Sequence, residues 1–177
     1  MMQSPPKAMT PRAKTGIPVL DERLQGGFPR PSTLLLFSDK PTEKRLFGEN
    51  FAIQGVKAGE TCLYVDFFRA PQLARGELKR FGPADPSKLV LVDATSSQLL
   101  LPSREKYHID NIDSLATIRE AILAAMEAER PGRIVVDSME FLVDRFPKED
   151  VLRLWRELIE AARAARTVIC FLFITGP

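Results

Sequence analysis

The amino-acid sequence predicts an α/β fold with a mainly parallel sheet of at least five strands. Three observations carry that prediction. Short apolar runs rich in Val, Leu and Ile recur at 33–37, 61–67, 88–92, 133–137 and 167–175. They show little alternation, the pattern of strands covered on both faces. Segments of helical period lie between them, and strand–helix alternation favours a right-handed parallel sheet.

Taken in order, residues 1–14 read as a flexible arm. Pro5, Pro6 and Pro11 alternate there with Lys7, Arg12 and Lys14, and there is little to bury. Residues 15–177 read as one domain. The run Thr33 to Phe37 is the first strand, and a helix over about 43–57 follows it and stops at Gly59. The second strand leads into a helix over about 71–81, closed by Gly82. A helix over 115–129 carries Leu115, Ile118, Ile122 and Met126 on one face and ends before Pro131-Gly132. A last helix over 148–165 carries Val151, Leu154, Trp155, Leu158 and Ala162 on one face. Pro147 sits near its start, and Glu149 and Asp150 suit the positive end of its dipole. The final strand is strongly apolar, which places it centrally in the sheet; as an edge its free N–H and C=O groups would invite another chain.

Composition narrows the function classes. The chain has 177 residues, 45% apolar and 27% charged, enough for one domain with a real core. The net charge of +2 is too small to argue for nucleic acid. No apolar run approaches the roughly 18 residues that span a bilayer, and the polar N-terminus lacks a secretory signal core. The reading is therefore a cytoplasmic protein with no membrane association. Cys62 and Cys170 each lie within a strand-like run, as buried free thiols of a reducing compartment do. His108, the one histidine, stands in a polar stretch beside Tyr107 with no partners spaced for metal or acid–base work.

The most informative motif is an incomplete one. The strand Thr33-Leu34-Leu35-Leu36-Phe37 runs into Ser38-Asp39-Lys40-Pro41-Thr42-Glu43-Lys44-Arg45 and then into a helix. Strand, loop, helix is the frame of a P-loop, the backbone cradle for nucleoside triphosphates. A P-loop needs glycines so that its N–H groups can curl around phosphates, and a Lys followed by Ser or Thr. This loop has no glycine, and Lys44 is followed by Arg45.

Several further segments, in order, carry a family resemblance. They are Thr15-Gly16-Ile17-Pro18-Val19-Leu20-Asp21, then Gly26-Gly27-Phe28-Pro29-Arg30, Gly55 to Glu60 followed by Cys62-Leu63-Tyr64-Val65, Pro71-Gln72-Leu73 with Lys79-Arg80-Phe81-Gly82, and Ile134-Val135-Val136-Asp137-Ser138. Over about residues 15–175 the chain resembles the KaiC/RadA branch of the RecA-like ATPases. The resemblance implies a RecA-like P-loop NTPase fold, a three-layer αβα sandwich. It also sets Lys44 at the phosphate lysine, Arg45 at the magnesium-binding Thr and Asp137 at the Walker B aspartate. The family's paired catalytic glutamates fall at Phe68 and Arg69. Neither can do what a glutamate does there, which is to orient and deprotonate the attacking water.

The functional expectation is a non-catalytic KaiC-like domain, a pseudo-ATPase acting as a regulatory or scaffold subunit. No catalytic residue and no metal ligand is assigned, and Lys44, Arg45 and Asp137 mark a vestigial nucleotide site. No cofactor is expected beyond weak ATP or ADP binding without magnesium. Partners would be another copy or an active KaiC-like or RadA-like ATPase. Two alternatives remain open. One is a weak nucleotide sensor or slow ATPase using Lys44, Arg45 and Asp137. The other is a nucleic-acid-binding module resembling recombinase paralogues, against which the low net charge counts. Phe67 and Phe68 are open between core and interface, and Trp155 reads as core.

Overall fold

The computed structural model describes residues 11–82 and 84–175. Its elements, in chain order, are β1 (Arg12–Ala13), α1 (Pro18–Arg23), β2 (Phe28–Pro29), β3 (Ser32–Ser38), α2 (Pro41–Lys57), β4 (Cys62–Asp66), α3 (Pro71–Leu78), β5 (Leu89–Asp93), β6 (Tyr107–His108), α4 (Leu115–Glu129), β7 (Arg133–Asp137), α5 (Met139–Arg145), α6 (Lys148–Ala164) and β8 (Val168–Ile174). Six strands form one sheet in the order β3-β8-β7-β4-β5-β6, with every neighbouring pair parallel. Helices α2 and α3 pack on one face through Phe51, Ala52, Ile53, Val56, Ala74 and Leu78. Helices α4, α5 and α6 cover the other through Ile118, Ile122, Leu142, Val151, Leu154 and Leu158. The chain is thus the expected three-layer αβα sandwich.

Local chemistry explains the helix limits. α2 starts two residues before the periodicity suggested, because Pro41 takes the first helical position, where its missing N–H costs nothing. The side chain of Ser114 caps α4 by accepting from the Thr117 N–H at 3.3 Å. The close seat of α2 on the sheet needs Gly55: a Cβ there would lie 2.5 Å from Cys62 Sγ and 2.6 Å from Arg133 Cδ. Short β1, β2, β6 and the helices α1 and α5 are too brief to show a period and were not anticipated.

Two expectations are corrected. The arm expected at 1–14 lies outside the described residues over 1–10, but Arg12–Ala13 pairs antiparallel with Phe28–Pro29, and Ala13 is fully buried. Arg12 Nη1 fixes this hairpin by donating to the carbonyls of Leu24 at 3.0 Å and Gly27 at 2.7 Å. Gly27, at φ +109°, has no room for a Cβ, which would fall 2.2 Å from the Ala13 carbonyl oxygen. The second correction concerns β3, which the sequence presents as a strand covered on both faces. Among the described residues it is an edge strand with exposed Thr33, Leu35 and Phe37 on one face. Strand β8 is central, between β3 and β7, as its apolar character required.

Cys62 and Cys170 are buried free thiols, and burial pushes each pKa up to about 12. The thiolate is the reactive form. Native protein is therefore expected to give no reaction with Ellman's reagent at pH 8, and two thiols after denaturation. Rapid labelling of either cysteine in the native state would show that its strand opens.

Candidate functional site

The C-terminal ends of parallel strands are where open α/β sheets place their ligands. Here three strands end in aspartate, and the register aligns them: Asp66 of β4 lies between Asp93 of β5 and Asp137 of β7. Each is satisfied differently. Asp93 accepts from the N–H groups of Thr95 at 2.9 Å and Ser96 at 3.0 Å and from the hydroxyls of Ser96 at 2.5 Å and Ser103 at 2.6 Å. Burial works to raise its pKa, but the hydroxyl bonds from Ser103 and Ser96 outweigh it, and the carboxyl sits below its usual range. Asp66 accepts from the N–H groups of Phe68 and Arg69, both at 3.0 Å, and from Arg69 Nε at 2.6 Å.

Asp137 is buried and meets the residues of α2. The connection from β3 to α2 is only Asp39 and Lys40. Ser38 Oγ accepts the Lys40 N–H at 3.1 Å, and Glu43 in the first helical turn pairs with Lys40 Nζ at 2.9 Å. One turn on, Lys44 points inward and is 2% exposed. Its Nζ donates to Glu140 Oε2 at 3.2 Å and lies 3.6 Å from Asp137 Oδ1. Glu140 is held in turn by the Ser138 hydroxyl. Arg45 Nε lies 3.6 Å and Arg69 Nη2 3.9 Å from Asp137 Oδ2, which also accepts the Tyr64 hydroxyl at 3.2 Å. Burial first, then repulsion from Asp66, raise the Asp137 pKa above its ordinary value despite these cations.

Arg69 ties this group to a second one. Beyond Asp66 it reaches Glu49 Oε1 of α2 at 2.5 Å and Glu77 of α3. Glu49 is fully buried and also takes Arg80 Nη2 at 2.8 Å. Charges on α2, β4, α3, β7 and α5 therefore neutralise one another across the end of the sheet.

The structure brings Lys44, Arg45 and Asp137 together and sets Arg69 beside them. It turns Phe68 away: that ring is 55% exposed and edge-on to Phe141 at 5.8 Å. Phe67 is core, stacked on Phe141 at 4.9 Å. Trp155 is half-buried against Phe171 and Phe173. His108 is exposed on β6 with Nε2 3.1 Å from Asp110, and no cluster of three potential metal ligands occurs among the described residues. Sequence reasoning missed Asp66, Tyr64, Glu49, Glu77 and Glu140. A signal for Asp66 was present, since Val65-Asp66, Val92-Asp93 and Val136-Asp137 repeat one strand ending. Two cavities, of about 560 and 420 Å³, lie elsewhere: one beside Met126, Pro131 and Ala165, the other beside Ile53, Leu78 and Pro86. Neither is lined by Lys44, Arg45, Arg69 or Asp137.

Known proteins share this frame. The crystal structure of the KaiC-like protein PH0186 from Pyrococcus horikoshii superposes with a TM-score of 0.75 at 24% identity, covering 94% of this chain and 73% of that one. That likeness shows the fold. A UPF0273 protein of Thermotoga maritima is 31% identical over 140 residues, 76% of this chain and 58% of its own length. The UPF0273 protein PH0284 of Pyrococcus horikoshii is also 31% identical, over 76% of this chain and 57% of its own length. This chain thus spans little more than half the length of those relatives. No helix among the described residues is long and apolar enough to cross a membrane. The family model "ATPase: KaiC" matches residues 13–173. With the parallel sheet, the strand-end aspartate and the preceding lysine helix all in place, the chain belongs to the KaiC ATPase family.

Proposed function

We propose that this chain is a non-catalytic KaiC-type domain, a pseudo-ATPase that serves as a regulatory or scaffold subunit. Its partner would be another copy or an active KaiC-like or RadA-like ATPase. The observation that carries the reading is the state of Lys44. In a P-loop that lysine reaches outward to phosphates; here it is buried against Glu140 and Asp137. The two-residue connection before α2 supports the same reading, since it offers no curl of N–H groups. So does Arg45, a cation where the family has a magnesium-binding hydroxyl. Engaging a phosphate would mean withdrawing Lys44 from a buried cluster, which leaves Glu140 without a cation and Asp137 with Arg45 and Arg69 alone.

The test is calorimetric titration with ATP and ADP, with and without magnesium. The expected result is no binding, or weak binding that magnesium leaves unchanged. Loss of several backbone hydrogen bonds moves affinity from about micromolar toward millimolar, at ~1.4 kcal/mol per tenfold. Micromolar, magnesium-dependent binding would overturn the reading in favour of a nucleotide sensor built on Lys44, Arg45 and Asp137.

A further inference from the structure

The cavity of about 420 Å³ lies between α2, α3 and the start of β5. Its wall is built from three elements: Ile53 of α2, Leu78 at the end of α3 and Leu89 of β5, all buried. Gly82, at φ +95°, ends the turn that follows α3, and Pro86 opens the turn that leads into β5. Ala84 and Pro86 carry the apolar surface out to the mouth. Ligand pockets are mostly apolar, measure about 300–1,000 Å³ and hold a few placed polar groups.

The mouth is charged, and its balance is positive. Lys79 lines it and is exposed. Lys57 Nζ would lie 3.3 Å from a Cβ on Gly82, and it donates to the Phe81 carbonyl. Lys88, beside Leu89, donates its Nζ to the Gly59 carbonyl at 2.6 Å. Carbonyls orient these ammonium groups without cancelling their charge. Arg75 is already engaged: Glu105 accepts its Nε at 3.1 Å and its Nη2 at 2.6 Å, and the Leu89 carbonyl accepts its Nη1 at 3.2 Å. Asp85 is the carboxylate at the mouth. It accepts the Ser87 hydroxyl at 2.7 Å, and that bond holds its carboxyl below the ordinary range. Among the described residues, three ammonium groups therefore stand against one carboxylate.

We propose that this cavity binds a small amphipathic anion, with its apolar chain against Ile53, Leu78 and Leu89 and its carboxylate-type head among Lys79, Lys57 and Lys88. Each part of the ligand answers one part of the site. Water inside the cavity finds few hydrogen-bond partners on these walls, so an apolar chain displaces it favourably. Lysine ammonium groups are compact point charges on flexible stems, so they can close on a singly charged head without a fixed geometry. Exposed ion pairs contribute little on their own. The apolar chain therefore supplies the affinity, and the lysines supply the choice of sign. A cation of the same chain length meets three like charges and only Asp85 in its favour. The inference goes beyond the proposed pseudo-ATPase role and is independent of it, since none of Lys44, Arg45, Arg69 and Asp137 lines this cavity.

The experiment is titration of the full chain with octanoate and octylamine, which share a chain and differ in the sign of the head. Calorimetry gives the affinity, and amide NMR gives the place. Octanoate is expected to saturate in the millimolar range and to shift the amides of Ile53, Leu78, Gly82 and Leu89. Octylamine should bind about tenfold more weakly, the two sides of the charge balance each counting for a few-fold. Lys79→Glu, an exposed change with little to lose from the fold, should weaken octanoate by about tenfold and narrow or reverse the preference. Ala84→Trp, which puts a large ring at the mouth, should abolish binding of both probes. Phosphatidylglycerol vesicles separate a free ligand from a membrane lipid with the same chemistry, and the chain should stay in the supernatant when they are sedimented. The proposal is overturned by octylamine binding as tightly as octanoate, or by no saturable binding of octanoate. It is equally overturned by shifts centred on Leu123, Met126 and Ala165 of the other cavity, by binding that both variants leave intact, or by sedimentation with the vesicles.

Discussion

Arg69→Ala is expected to cost about 3–5 kcal/mol of folding stability, the range for removing one partner of a buried ion pair. The guanidinium is 6% exposed and serves Asp66, Glu49 and Glu77 together. Its removal strips Asp66 of its side-chain cation and leaves fully buried Glu49 with Arg80 alone. Since domains of this size are stable by only about 5–15 kcal/mol, the loss should be visible as a large fall in the urea midpoint. Arg69→Lys keeps the charge but not the planar fork that spans Asp66, Glu49 and Glu77, so its midpoint should lie between those of Arg69→Ala and wild type. Arg80→Ala, removing a half-exposed arginine, should cost less than Arg69→Ala. An Arg69→Ala midpoint equal to wild type would show that the network stabilises nothing.

The second large effect is on catalysis. Purified protein is expected to release phosphate from ATP at the background rate, with or without magnesium. The resemblance sets the family's glutamates at Phe68 and Arg69 and its metal-binding hydroxyl at Arg45. General bases contribute typically about 10²–10⁴-fold, and metal ions add several kcal/mol of charge stabilisation. The expected combined deficit is several orders of magnitude. In the structure Phe68 faces solvent and Arg69 is paired with three carboxylates. Phosphate release that scales with protein, saturates with ATP and needs magnesium would refute the expectation.

The layers and the order of long elements were legible because the apolar runs are long and the helices carry clear faces, as at Ile118, Ile122 and Met126. The exposed face of β3 was not. Leu34, Leu35, Leu36 and Phe37 read as a continuous apolar run, and only the sheet order reveals that Leu35 and Phe37 have no helix above them. Lys44, Arg45 and Asp137 were marked in the sequence as one group and are neighbours in the structure, but their state was not legible, and Arg69 was marked only as standing where the resemblance sets a glutamate. Whether Lys44 points out to a ligand or inward depends on Glu140, which comes from α5, a seven-residue helix too short to leave a periodic signal. Glu49 and Glu77 are ordinary helix residues in the sequence. What marks them is their distance from Arg69, and that needs the register of three elements at once.

The insertion of β8 between β3 and β7 has a consequence for how the chain is made. Ser32 pairs with Val168, and Arg133 pairs with the same residue from the other side. Until Val168–Ile174 is made, β3 has no strand to pair with and β7 presents an open flank, although α2 can already rest on β4 and β7. β8 closes the gap between β3 and β7 by a pairing that joins Ser32 to the distant Val168. Such distant pairing is slow and leaves apolar strand edges bare meanwhile.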